Sequence, residues 1–212
     1  MADLDALTAA VEAGDRKQAV ALVKQAIDDG MAPGAILDAM KRAMDVVGAQ
    51  FQAGELFIPE MLISARAMKE GVALLEPLLV AADVKSEGKA VIGTVKGDLH
   101  DIGKNLVGIM LRSANLDVVD LGTNISAEQF VAAAKEHGAK IVGVSALLTT
   151  TMVNMKDVVR AVHEADLPGT LVIIGGAPVT QQYADQIGAD GYAPDAGSAV
   201  EMVRGLLAGA AA

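Results

Sequence analysis

Asp98 and His100 stand two positions apart in GDLHDIGKNL, residues 97–106, just after the apolar run KAVIGTV. In an extended loop that spacing can point both side chains to the same side. His100 could then coordinate a metal through one ring nitrogen, while Asp98 accepts a hydrogen bond from the other or from a neighbouring hydroxyl. The same residues also suit a solvated turn ahead of a helix, with Asp101 as its N-cap. A second cluster follows in SALLTTT, where Ser145, Thr149, Thr150 and Thr151 bring four hydroxyls together. Helix capping by Thr149 or Thr150 accounts for one of them and leaves the others unexplained. A third stretch, GGAP, places Gly175 and Gly176 where an apolar run ends. Two missing Cβ atoms there permit a positive φ or close approach of the backbone to a ligand, although a plain turn uses glycines in the same way.

Several chemistries are set aside by what is missing. Neither the dinucleotide fingerprint GxGxxG nor a P-loop follows the first apolar run, which removes support for nicotinamide or nucleoside triphosphate binding. The chain has no cysteine, so disulfides, thiolate zinc sites, iron–sulfur clusters and thiol nucleophiles are excluded. The other two histidines, His137 and His163, fall late in predicted helices and are assigned no function.

The three motifs need a scaffold that brings them together. From residue 3 to about 80 the apolar spacing is helical. LDALTAAVEAG and DRKQAVALVKQAIDDG read as two helices, the second capped by Asp15 and ended by Gly30. A third carries Ile36, Met40, Met44 and Val47 at steps of three and four, and a fourth begins at Pro59. Four helices imply a small bundle over 1–84. A polar stretch at 81–89 reads as a linker, and from there the period changes. KAVIGTV, LDVVDLG, AKIVGVS, TLVIIGG and DGYAP are short apolar runs separated by amphipathic segments of about three helical turns. This alternation predicts an α/β domain over 85–212, a doubly wound, Rossmann-like or flavodoxin-like, five-stranded parallel sheet. Ligands of such sheets bind outside the carboxyl ends of the strands, where all three motifs stand.

Composition narrows the partners. A net charge of −10 and a pI near 4.7 argue against nucleic acid and against anionic membrane surfaces. The first residues, MADLDALTAAVEAGD, lack the basic start of a signal peptide, and no apolar run approaches a membrane span. The chain reads as soluble and cytoplasmic.

Taken together, Asp98, His100 and Gly103 as DxHxxG, Ser145 and Leu147 as SxL, and the Gly175–Gly176 pair closely resemble the cobalamin-binding domain of corrinoid-dependent methyltransferases and methionine synthase. Residues 47–72, VGAQFQAGELFIPEMLISARAMKEGV, resemble the same family's four-helix cap, so the likeness covers nearly the whole chain. It implies a stand-alone corrinoid protein of the kind used for methylamines, methanol, glycine betaine or methoxylated aromatics. By that resemblance His100 is the lower cobalt ligand, in place of the cofactor's own benzimidazole. Asp98 hydrogen-bonds it, and Thr151 extends the relay where methionine synthase carries a serine. Gly97, Asp101, Ile102 and Gly103 complete the cofactor loop. Ser145 and Thr149 would contact the nucleotide tail, whose ring lies against Gly175 and Gly176, and Leu147 is a further cofactor-binding residue. Phe51 and Ile58 would shield the upper corrin face.

The resemblance also implies a division of labour. A histidine released from cobalt beside Asp98 gains a proton, so ligation and protonation are coupled. Reduced cobalt oxidises easily, which calls for an apolar lid that opens to partner enzymes. Activating a thiol acceptor usually requires zinc on Cys or His ligands, and neither is to spare here. The chain is therefore expected to carry methyl groups without catalysing transfer alone. Its implied partners are a substrate-specific methyltransferase, an acceptor methyltransferase acting on a thiol or tetrahydrofolate-type acceptor, and a reductive activase. Three alternatives share parts of the pattern. A cobalamin-dependent sensor would need a basic DNA-binding segment, whereas the first 80 residues carry more acids than bases. A mutase cobalamin subunit would share DxHxxG but tends to lack this cap. A flavodoxin-like module without cobalamin is allowed by the alternation alone.

Overall fold

The computed structural model describes residues 3–82, 84 and 86–210. Two compact units emerge, one of Met1–Ser86 with Ser113–Asn115, the other of Glu87–Arg112 with Leu116–Ala212. The polar stretch predicted as a linker falls partly on positions 83 and 85, which lie outside the described residues.

The first unit is four helices, α1 (Leu4–Glu12), α2 (Arg16–Asp28), α3 (Pro33–Gln52) and α4 (Ile58–Ala81). Asp3 caps α1, and Asp15 caps α2 by accepting from the Gln18 amide at 3.0 Å, as its place before the apolar run predicts. The helix α4 starts at Ile58, one residue before the expected Pro59, and Glu60 accepts from the Phe57 amide at 2.8 Å. Ile36, Met40, Met44 and Val47 are all buried along α3, together with Leu7, Val23, Met61, Met68 and Leu75. The core is thus aliphatic and Met-rich, as the low aromatic content requires.

The second unit alternates β1 (Gly88–Thr94), α5 (Ile102–Ser113), β2 (Leu116–Asp120), α6 (Ala127–His137), β3 (Ile141–Ser145), α7 (Thr149–Met152), α8 (Asn154–Glu164), β4 (Leu171–Gly175), α9 (Gln181–Ile187), β5 (Gly191–Ala193) and α10 (Ala196–Ala210). All five strands are parallel in the order β2-β1-β3-β4-β5. The helix α9 is shorter than the expected three turns, and the third crossover is split into a single turn, α7, and a longer helix, α8. On one face Phe130, Met155, Val158, Val159 and Val162 close over Val91, Val142, Val172 and Ile174. Among the described residues no helix is long and apolar enough to cross a membrane.

Register fixes where the motifs meet. Thr94 pairs with Ser145, Ser145 with Gly175, and Gly175 with Ala193, so β1, β3, β4 and β5 end in one row. From β1 the chain crosses to β2 on one side, then returns past β1 to β3 on the other. That reversal opens the crevice between the loops after β1 and β3.

Candidate functional site

Beyond Thr94 the chain is held from several directions before α5 begins. Val95 donates its amide to Ser145 O at 3.0 Å, and the Gly97 amide donates to Asn124 Oδ1 at 2.8 Å. Asn124 returns its own amide to Asp98 O at 3.0 Å. The buried Thr94 hydroxyl donates to His100 O at 2.9 Å, and Asn154 Nδ2 to Lys96 O at 2.8 Å. A loop this well bonded is a rigid mount, unlike a solvated turn.

Asp98 lies at its centre, fully buried. Oδ2 accepts from the Leu147 amide at 2.8 Å, the Leu148 amide at 3.2 Å and the Thr151 hydroxyl at 2.6 Å. Oδ1 accepts from the His100 amide at 3.1 Å and faces His100 Nδ1 at 2.8 Å. Burial by itself would raise this carboxyl's pKa. The Thr151 hydroxyl, the two backbone donors and the imidazole more than offset it and hold the group well below the usual carboxylate range. Asp98 is therefore an anion and a pure acceptor, so His100 must donate its Nδ1–H. That leaves Nε2 with its lone pair on a ring 51% exposed.

Leu99 and Ile102 flank His100 in the chain, Leu147 and Leu148 carry the amides that donate to Asp98, and all four side chains are exposed. Exposed apolar side chains on neighbouring segments mark a binding surface. The donor set fits a metal that brings its own equatorial ligands. A bare ion needs three or four protein ligands, and no group of three His, Cys, Asp or Glu able to hold one occurs among the described residues. One half-exposed imidazole, with exposed aliphatic side chains on the segments after β1 and β3, suits a macrocycle better than a bare ion.

The other expected residues take varied places. Ser145 is half-buried at the end of β3, and Gly175 ends β4 beside it. Gly176 has φ 131°, and a Cβ there would collide with the Ala146 carbonyl, so close approach is real but made to backbone. Capping by Thr149 or Thr150 is not what the structure shows. Both lie inside α7, whose N-cap position is Leu148 and makes no side-chain cap bond. Asp101 does precede α5, but its carboxylate accepts from Asn105 Nδ2 at 3.0 Å rather than from a helix amide. Phe51 and Ile58 belong to the helical unit, Phe51 in the last turn of α3 and Ile58 exposed at the start of α4. His137 ends α6, and His163 Nε2 faces Asp190 Oδ2 at 2.9 Å, away from the motifs in the chain order of the sheet.

Sequence reasoning missed Thr94, Asn124, Asn154 and the Lys104–Asp120 pair. Lys104 Nζ, on a side chain only 3% exposed, donates to both Asp120 oxygens at 2.6 Å and to Asn105 Oδ1 at 2.7 Å. The pair ties the first turn of α5 to the end of β2. Burial opposes the Asp120 charge, but Lys104 and the Gly122 amide hold its carboxyl below the ordinary value. One signal was available, because Lys104, Gly108 and Leu111 fall on one helical stripe and all three are buried. Lys104→Met is expected to cost about 2 kcal/mol in urea unfolding by leaving Asp120 without its cation. Adding Asp120→Leu should recover most of that loss, and a double variant no better than the single would contradict the account.

Comparison with known proteins agrees with this geometry. A family model described as "B12 binding domain" matches residues 88–201, and a second of the same description matches residues 3–76. A corrinoid protein of Desulfitobacterium hafniense is 43% identical over 98% of both chains. A dimethylamine corrinoid protein of Methanosarcina acetivorans is 41% identical over 93% of this chain and 89% of its own. Among solved structures, a chain in the methanol:cobalamin methyltransferase complex of Methanosarcina barkeri superposes with a TM-score of 0.84 at 32% identity, covering 97% of this chain and 80% of that one.

Proposed function

The chain belongs to the B12-binding corrinoid proteins of methyltransferase systems, and from that premise we propose that it carries a methyl group on a corrinoid cobalt between two partner methyltransferases. The observation that carries the reading is the His100 ring, oriented through Nδ1 by the buried Asp98 and half exposed after β1. When bound, the corrinoid supplies a cobalt that accepts and gives up the methyl group. His100 would ligate that cobalt, with Asp98 orienting the ring and Thr151 holding Asp98. The donors around Asp98 keep that carboxylate ionised.

The remaining assignments follow the same reading. Gly97, Asp101, Ile102 and Gly103 border the cofactor on the histidine loop. Ser145 and Thr149, with Gly175 and Gly176, would receive its nucleotide tail, Leu147 would also touch the cofactor, and Phe51 and Ile58 are the helical unit's candidates for apolar cover. The dimethylamine and methanol relatives support a small methylated amine or alcohol as the donor, delivered by a separate substrate methyltransferase. An acceptor methyltransferase and a reductive activase complete the cycle.

His100→Ala tests the reading. In the methylcobalamin complex it is expected to convert the absorption spectrum fully to that of cobalt lacking a lower nitrogen ligand. An unchanged spectrum would sink the assignment of His100.

A further inference from the structure

Tyr183 is one of two tyrosines in the chain, and no motif includes it. It sits in the first turn of α9, and its hydroxyl donates to Met152 O at 2.8 Å. Met152 closes α7, a helix of only four residues. A single turn has almost no hydrogen bonding of its own to keep it in place, although Val153, in the αR conformation, donates its amide to Thr151 O and leads directly into α8. Its position must be set from outside. From one side Asp98 binds Leu147 N, Leu148 N and the Thr151 hydroxyl. From another, Asn154, the residue that opens α8, is pinned through its side chain to Lys96 O. Tyr183 is the third anchor and the one that comes from α9. Burial and the nearby Asp157 carboxylate raise the phenol's pKa, so it remains a donor.

Thr151 has one hydroxyl proton and two acceptors within reach, Asp98 Oδ2 at 2.6 Å and Leu148 O at 3.0 Å. Which one it serves depends on how α7 is seated. We infer that Tyr183 is a positioning residue for the axial histidine. Through the Met152 carbonyl it seats the turn whose Thr151 hydroxyl and preceding amides hold Asp98, and Asp98 in turn orients His100. This inference rests on the reading of His100 as the cobalt ligand, but the linkage from Tyr183 to Asp98 is a property of the chain itself.

Tyr183→Phe removes one oxygen and keeps the ring. In the full-length chain without cofactor, hydrogen exchange at the Leu147 and Leu148 amides is expected to accelerate about threefold to tenfold, the range for losing one hydrogen bond. Strand amides such as Val142 and Val172 should not change, which reports that the sheet is intact. With methylcobalamin bound, the ratio of nitrogen-free to nitrogen-ligated cobalt in the absorption spectrum should rise by a similar factor at fixed pH. If Tyr183 acts through Thr151, adding Tyr183→Phe to Thr151→Val should change either readout little further. Unchanged exchange at Leu147 and Leu148, or full additivity with Thr151→Val, overturns the inference. A chain that binds no corrinoid would overturn the proposed function instead, while the exchange measurement would still decide the role of Tyr183.

Discussion

Asp98→Ala is expected to lower the unfolding free energy of the strand-bearing unit by about 3–5 kcal/mol at pH 7, the range for leaving several buried donors without an acceptor. The Leu147 and Leu148 amides and the Thr151 hydroxyl all end on this one carboxylate, which is itself fully buried. Truncation removes their shared acceptor, and it also frees the His100 ring to rotate. The sign of the pH dependence follows from the depressed pKa. The unfolded chain protonates this carboxyl more readily than the folded one, so its contribution is complete above the ordinary aspartate range near ~4 and is lost as pH falls through and below it. The gap between wild type and variant in urea unfolding should therefore begin to narrow below about pH 5 and still be narrowing at about pH 2. A difference that stays constant over that window would mean the charge of Asp98 is not what holds the two loops.

Gly176→Ala is the second large effect. At φ 131° an L side chain is strained wherever it points, and here the new methyl group meets the Ala146 carbonyl oxygen. Neither partner is a flexible side chain that can swing aside. Strain and overpacking together are expected to cost roughly 3–5 kcal/mol. Because Ala146 N donates to Gly175 O at 3.3 Å, relief of the clash would part β3 from β4 at the end that carries Leu147 and Leu148. Thermal unfolding should show a drop of several degrees, and cobalamin affinity should fall with it. Gly103→Ala is the control, since a Cβ there meets nothing within 4 Å and should change stability little.

How far the sequence reaches can be judged from individual residues. The helices of the first unit follow from periodicity and Asp caps, and Ile36, Met40, Met44 and Val47 line the core as their spacing predicts. The five apolar runs became the five strands because a sheet covered on both faces needs continuous β-branched segments. His100 and Asp98 were legible from spacing and place, and Thr151 from resemblance. Thr94, Asn124 and Tyr183 were not, because the side chain of each bonds a backbone carbonyl or amide, six residues away for Thr94, 27 for Asn124 and 31 for Tyr183. A backbone acceptor such as Met152 O has no residue type to betray it. The capping expectation for Thr149 and Thr150 failed because Leu148 occupies the start of α7 and the last hydroxyl of the cluster turns to Asp98 instead.

The bonds from Leu147, Leu148 and Thr151 to Asp98 span 49 to 53 residues of chain. Contacts of such separation close slowly, since the intervening loop must lose its freedom first. During synthesis β1 and the histidine loop emerge well before β3, and until β3 is in place the Asp98 carboxylate lacks its three distant donors. A chain ending before residue 141 would hold the loop only through local bonds such as those of Thr94 and Asn124. On the proposed function, competence to grip cobalt would arrive late, as a certificate that the centre of the sheet has been completed.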